Sequence, residues 1–457
     1  MGVDHQGSSH HRRVIRRVGL KRREHMRERD ASSGRHPHGP HAMGCTGLFA
    51  AAAVATGMTF GGVVQAQGQD GAQGEIILGA LQPLSGPFAS LGEQTLQGVR
   101  YAVEEVNANG GIRSLGGRRV RLVVADSTTD DQAAATSAAN KLLASKPVAI
   151  VGPTSSSALL PASTVTERAR VPMCTQSFSD RITERGYRYI FQTLPKGSTI
   201  ANFTVPVIRE LAPLLRVDPK KIALLYDDTA GTVALFSNLG KGLEAAGLRP
   251  VYNEKYNVGL TNATFLAAAV KASGAELLVQ GSSSPQDMSL IARALRDQGV
   301  KLPVLNPSGG SANATFIKSV GPSVNGSFII ATWLASMNLT SSQNSLLKTF
   351  DEEVAKKYDV PFAGNFAGQG YVCTSQLLAA IDKAASTEPD KVRNQMATMK
   401  FESGGGSLMP PGVVEYNDAG VAETVVPLVG QWCRGKINTV LPSKLASGPP
   451  QDPASCQ

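Results

Sequence analysis

From residue 75 onward, short apolar runs alternate with segments whose apolar residues recur every three or four positions. This alternation restricts the fold more than any other feature, because repeated strand–helix–strand units build a parallel sheet with helices packed on its faces. The run "EIILGAL" reads as the first strand. After a turn at "SGP", the stretch "LGEQTLQGVRYAVEEVNANGG" places Leu96, Val99, Val103 and Val106 on one helical face and stops at Gly110 and Gly111. The pattern continues with strand "RRVRLVVAD", helix "AAATSAANKLLAS", strand "VAIVG", helix "SSSALLPASTVTERA" and strand "VPMCT". A second series opens at "KIALLYDD" and passes through helix "VALFSNLGKGLEAAG", helix "TFLAAAVKASG", strand "ELLVQG", helix "DMSLIARALRDQG" and strand "LPVLNP".

Two series predict an α/β chain of two Rossmann-like lobes with parallel sheets, and 457 residues are too many for one ordinary core. The remainder holds strand "SFIIATW", helices "SLLKTFDEEVAKKY" and "YVCTSQLLAAIDKA", and strands "GVVEYND" and "TVVPLVGQWC". That is too little for a third lobe, so it must complete the two sheets. The expected division is a leader over 1–66, one lobe over 75–195 plus 333–413, a second over 196–332 plus 414–440, and a tail over 441–457. Several chain crossings between lobes make a hinge, and a hinge over a cleft makes a ligand trap.

The formal net charge of +9 resembles that of a nucleic-acid binder until its location is considered. Residues 1–66 carry nine Arg, Lys21 and four acids, which leaves only +3 for the other 391 residues. No long basic cluster interleaved with aromatics occurs there, so nucleic-acid binding is set aside. All seven histidines (His5, His10, His11, His25, His36, His38 and His41) also lie in the leader. A product starting near residue 67 therefore has no Ser-His-Asp or Cys-His unit and no histidine-built metal site. The segment "NLGKGLE" lacks phosphate-loop spacing, and no cofactor is expected.

The leader places a basic stretch, "HHRRVIRRVGLKRRE", before the apolar run "GLFAAAAVATGMTFGGVV". The small-residue exit at Val64, Gln65 and Ala66 predicts a secretion signal cleaved after Ala66 and a periplasmic product. The competing reading, a membrane anchor, is weakened by the many Gly, Ala and Thr residues of the run. Beyond it, Cys174, Cys373, Cys433 and Cys456 permit three full pairings. Joining Cys433 to Cys456 would tie down the tail. Cys174 and Cys373 also read as small buried apolar residues.

The segments "GALQPLSGPFASLGEQTLQGVRYAVEEVNANGGI", "VGPTSSSALLPAS", "TERGYRYIFQT" and "KIALLYDD", in this order, resemble the periplasmic binding proteins of branched-chain amino acid type ABC importers. The resemblance covers most of residues 75–440. It implies the type I periplasmic-binding fold, a transport role as a monomer, a small organic ligand, and membrane permease subunits as partners. In that family a ligand carboxylate is held by hydroxyl residues of the first lobe, which the resemblance carries to Ser156 and to Ser179 or Ser177. Hydroxyls and backbone N–H groups at a helix start form an anion site without Lys or Arg. The plainer reading makes these serines helix caps. Leu91 matches a pocket-wall position, and by its spacing alone it reads as a helix-start core leucine.

In the second lobe the sequence departs from the amino-acid binders. Ser308 stands where they place the carboxylate that pairs with a ligand ammonium. Gly231 stands where they have a tyrosine, and Ser282, Ser283 and Ser284 where they have aromatics. Neither Asp287 nor Asp228 matches the position of the missing charge. The first-lobe disulfide of some relatives is replaced by Thr128 and Ser155. A buried ammonium without a partner is costly, so the expected ligand is a small carboxylate lacking an α-ammonium, with Ser283 and Ser308 meeting its neutral polar groups. A branched-chain or other amino acid is the alternative, and an amide or ligand sensor of the same fold is a third reading, opposed by the export signal and the lack of a signalling domain. An enzyme would draw on pairs such as Asp227–Asp228, Asp130–Asp131 or Glu352–Glu353, but adjacent side chains diverge and these read as solvated surface.

Overall fold

The computed structural model describes residues 74–456 apart from residue 283, so the leader with its signal, and Ser283, lie outside the described residues. Strand β1 (Ile76–Gln82) is buried on nearly every side chain, as a strand covered on both faces must be. Helix α1 (Ala89–Ala108) buries Leu96, Val99 and Val103 and half-buries Val106, the stripe that the spacing predicts. After β2 (Val120–Asp126), α2 (Gln132–Ala144) and β3 (Ala149–Val151) come α3 (Ser156–Ala169), β4 (Met173–Thr175) and β5 (Ile190–Gln192). These strands form one parallel sheet in the order β2-β1-β3-β4-β5.

Helix α4 (Gly197–Leu215) packs on α5 (Ala230–Ala245) and opens the second lobe. Strands β6 (Ile222–Asp227), β7 (Tyr252–Tyr256), β8 (Leu277–Gly281), β9 (Val304–Asn306) and β10 (Phe328–Ala331) follow, separated by α5, α6 (Thr264–Ala272), α7 (Pro285–Asp297) and α8 (Ala314–Val320). Their order, β7-β6-β8-β9-β10, repeats that of the first sheet. Two further strands, β11 (Leu428–Cys433) and β12 (Lys436–Leu441), extend this sheet in antiparallel fashion. In between, α9 (Ser341–Tyr358), α10 (Asn365–Ala384) and α11 (Pro389–Thr398) return to the first lobe, where α10 packs along α1. The chain thus passes between the lobes over 193–196, 332–340 and 423–427.

Three differences from the sequence reading have physical causes. The segment "GVVEYND" makes no strand of the second sheet: Val414 and Tyr416 form isolated bridges to Phe401 and Ala422, and Val421 bridges to Gln192 at the edge of the first sheet. Helix α4 contains Pro206 and Pro213, which mask its periodicity. Strand β7 is a polar sheet edge, with Asn253, Glu254 and Lys255 exposed, and lacks an apolar run.

Disulfides join Cys433 to Cys456, holding the tail on β11, and Cys174 to Cys373, linking β4 to α10. Cys174 and Cys373 are therefore covalent partners and not merely buried apolar residues.

Candidate ligand-binding site

In a sheet with this strand order, the loops after the first and third strands part in opposite directions and leave a crevice at the carboxyl ends. In the first lobe that point falls between β1 and β3. Gln82 ends β1, and its Oε1 accepts from the Thr154 amide (3.3 Å) and hydroxyl (3.0 Å). Ser155 is the N-cap of α3, where its hydroxyl accepts from the Ala158 amide (3.4 Å) and donates to the Thr129 carbonyl (2.6 Å). Capping thus falls to Ser155, and the neighbouring Ser156, only 6% exposed, has a hydroxyl without a hydrogen-bond partner among the described residues at the start of a 14-residue helix.

The loop after β4 supplies the next group. The Ser177 hydroxyl lies 2.8 Å from the Thr154 carbonyl and 3.2 Å from that of Pro153, so it holds the two loops together. Ser179, also buried, precedes a short 3-10 turn without capping it by its side chain. Between them Gln176 is buried, and neither its Nε2 nor its Oε1 has a hydrogen-bond partner among the described residues. Leu91 is fully buried yet belongs to none of the apolar clusters, a position suited to a wall beside polar groups.

The equivalent point of the second lobe lies between β6 and β8. There the structure corrects the reading of Asp227–Asp228 as a solvated pair: Asp228 is exposed, but Asp227 has no exposed surface. Asp227 accepts from the Thr229 amide (3.2 Å) and hydroxyl (2.6 Å) and from the Ser282 hydroxyl (2.9 Å). Burial raises its pKa above the ordinary aspartate range against the pull of these donors. Ser308 accepts from the Ser282 amide (3.1 Å) and lies 2.6 Å from the Ser282 carbonyl, so its hydroxyl ties the end of β8 to β9. The carboxylate of Asp287 accepts from the Gly259 and Leu260 amides (2.9 and 3.0 Å), which fixes the loop after β7.

The lobes touch where α3 meets α5. The Ala230 amide donates to the Ser157 hydroxyl (3.4 Å), and Asp180 of the first lobe accepts from the Ser198 hydroxyl of α4 (2.5 Å). At the hinge, Asn365 at the start of α10 accepts from the Trp333 amide (3.2 Å) and from Gln369 Nε2 (3.0 Å). Sequence reasoning passed over Gln176 and read Asp227 only as half of a solvated pair; the signal for both is polarity at the carboxyl end of a strand. A separate cavity of about 600 Å³, lined by Leu215, Arg216, Arg296, Lys301, Ser327 and Pro453 among others, lies at the amino ends of β9 and β10, away from the two switch points. Among the described residues no cluster of His, Cys, Asp or Glu could hold a metal ion, and no helix is long and apolar enough to cross a membrane.

Two doubly wound lobes joined by several crossings, with buried polar groups at the facing strand ends, define a bilobed binding protein of the type I periplasmic kind. Residues 75–421 match the family model described as periplasmic binding protein, and the chain belongs to that family. It is 27% identical over 383 residues to Leu/Ile/Val-binding protein homolog 7 of Brucella abortus, covering 82% of this chain and 93% of that one. Identity to homolog 8 of Brucella suis is 28% over 378 residues, covering 81% and 92%. Among solved structures, the leucine-binding protein LivK of Thermotoga maritima superposes with a TM-score of 0.67 at 19% identity, covering 80% of this chain and 97% of the other. The branched-chain amino acid transporter substrate-binding protein LivJ of Streptococcus pneumoniae, solved with isoleucine, gives 0.66 at 21% identity, covering 80% and 98%.

Proposed function

We propose that the chain is the extracytoplasmic receptor of an ABC importer, exported by its leader, acting as a monomer without cofactor or catalysis, and delivering a small carboxylate to membrane permease subunits. The observation that carries this reading is the division of labour at α3: Ser155 caps, and the largely buried Ser156 keeps a hydroxyl with no hydrogen-bond partner among the described residues, beside the first-turn amides. Gln176, Ser179 and Leu91 complete the first-lobe wall. In the second lobe, Asp287 and Asp227 accept hydrogen bonds from within that lobe, and Ser308 is engaged with β8. Ser308 stands in place of the acid that would pair with a ligand ammonium, so the favoured ligand is an aliphatic or aromatic carboxylate without one.

An amino-acid ligand is the second reading, favoured by the Leu/Ile/Val-binding relatives. A thermal-shift screen of residues 67–457 against organic acids, amino acids and amides separates the two, since a ligand of the folded state raises its melting temperature. Stabilisation by organic acids, lost in Ser156→Ala with about a tenfold weaker Kd, is the expected result. Stabilisation by leucine, isoleucine or valine alone overturns it.

A further inference from the structure

Gly231 lies in the first turn of α5 without a left-handed φ, so its backbone makes no demand for glycine, and glycine there costs helix propensity. Close approach accounts for it. A Cβ at this position would stand 2.9 Å from Ser156 Oγ and 3.2 and 3.3 Å from Phe178 Cε2 and Cζ. Both partners belong to the first lobe, whereas α5 belongs to the second. The Phe178 ring packs on the second lobe's apolar cluster, which includes Leu235 and Phe236. Its own backbone is held, because the Phe178 carbonyl accepts from the Gly197 amide (2.5 Å) at the start of α4.

We propose that Phe178 is a specificity-determining residue of the cleft: resting against bare helix backbone at Gly231, it fixes how closely the lobes approach beside Ser156 and admits there only a slim, planar group such as a carboxylate. The proposal rests on the cleft being the ligand site. Truncating Phe178 opens space between Ser156 and α5 for a bulkier group. A side chain at 231 instead wedges the lobes apart, because close-packed contacts do not absorb added atoms freely.

The first test needs no ligand. Ser157→Cys with Ala230→Cys places one thiol on each lobe where the two now meet, and the native cysteines of the mature chain are already paired. Loss of free thiols under mild oxidant then reports lobe contact. Gly231→Leu should slow this cross-linking about tenfold, as overpacking of a close contact does, and adding Phe178→Ala should restore most of the rate. An unchanged rate, or slowing that Phe178→Ala does not relieve, overturns the proposal. The second test compares acetate, 2-methylpropanoate and 2,2-dimethylpropanoate by thermal shift. Phe178→Ala should move the preference toward the bulkier acids, and the same rank order in both proteins overturns the proposal. If none of the three stabilises either protein, the carboxylate reading falls, and the cross-linking rates decide the role of Phe178 alone.

Discussion

Asp227 shows how one buried carboxylate can organise a strand end. Three donor groups from Thr229 and Ser282 converge on it, so Asp227→Ala would leave buried donors unpaired and should cost about 2–4 kcal/mol in denaturant unfolding. Its raised pKa also sets a direction with pH. The folded chain holds that proton more tightly than the unfolded chain, so this site's contribution to stability is greatest at acid pH. It declines as pH rises from the ordinary aspartate range through the raised value. Asp227→Asn should flatten this decline in a series of melting temperatures against pH. The sequence did not disclose Asp227, because two adjacent aspartates after a strand look alike until one is known to turn inward. The serines of α3 were more legible: a run of three at a strand-to-helix junction left only the choice of which one caps.

At the scale of elements, the strongest constraint is the contact of α1 with α10. A Cβ on Gly98 would lie 1.8 Å from the Ala367 carbonyl oxygen, and one on Gly370 would lie 2.3 Å from that of Thr95. Alanine is the better helix former by up to about 1 kcal/mol, so helix propensity alone would make Gly98→Ala stabilising. The clash with backbone reverses the sign, and a net loss of about 3 kcal/mol is expected in urea unfolding. The core helices and central strands were legible because their apolar spacing is uninterrupted. Strand β7 and helix α4 were not, the first being a polar edge and the second punctuated by proline. The Cys174–Cys373 link could not be read from spacing, since a separation of 199 residues closes only once the first sheet and α10 have met.

For the whole molecule, the two-lobed plan followed from the repeat of strand and helix runs, and the two sheets share one strand order as such a repeat requires. The paths between the lobes were less legible, because a crossing has no periodicity of its own. One crossing carries Trp333, which is fully buried, stacked edge-on to Phe350 at 5.6 Å and pressed against Gly368 of α10. The chain has one other tryptophan, Trp432, within the second sheet. Trp432 for its part packs edge-on at 5.8 Å against Phe362, just ahead of α10, so both indoles sit where first-lobe and second-lobe elements meet, and rotation of the lobes must change their surroundings. The protein therefore contains an intrinsic fluorescence gauge of its own hinge. A ligand-dependent change in emission should shrink in Trp333→Phe and in Trp432→Phe alike, whereas emission that saturating ligand leaves unchanged in the parent protein would count against rotation of the lobes.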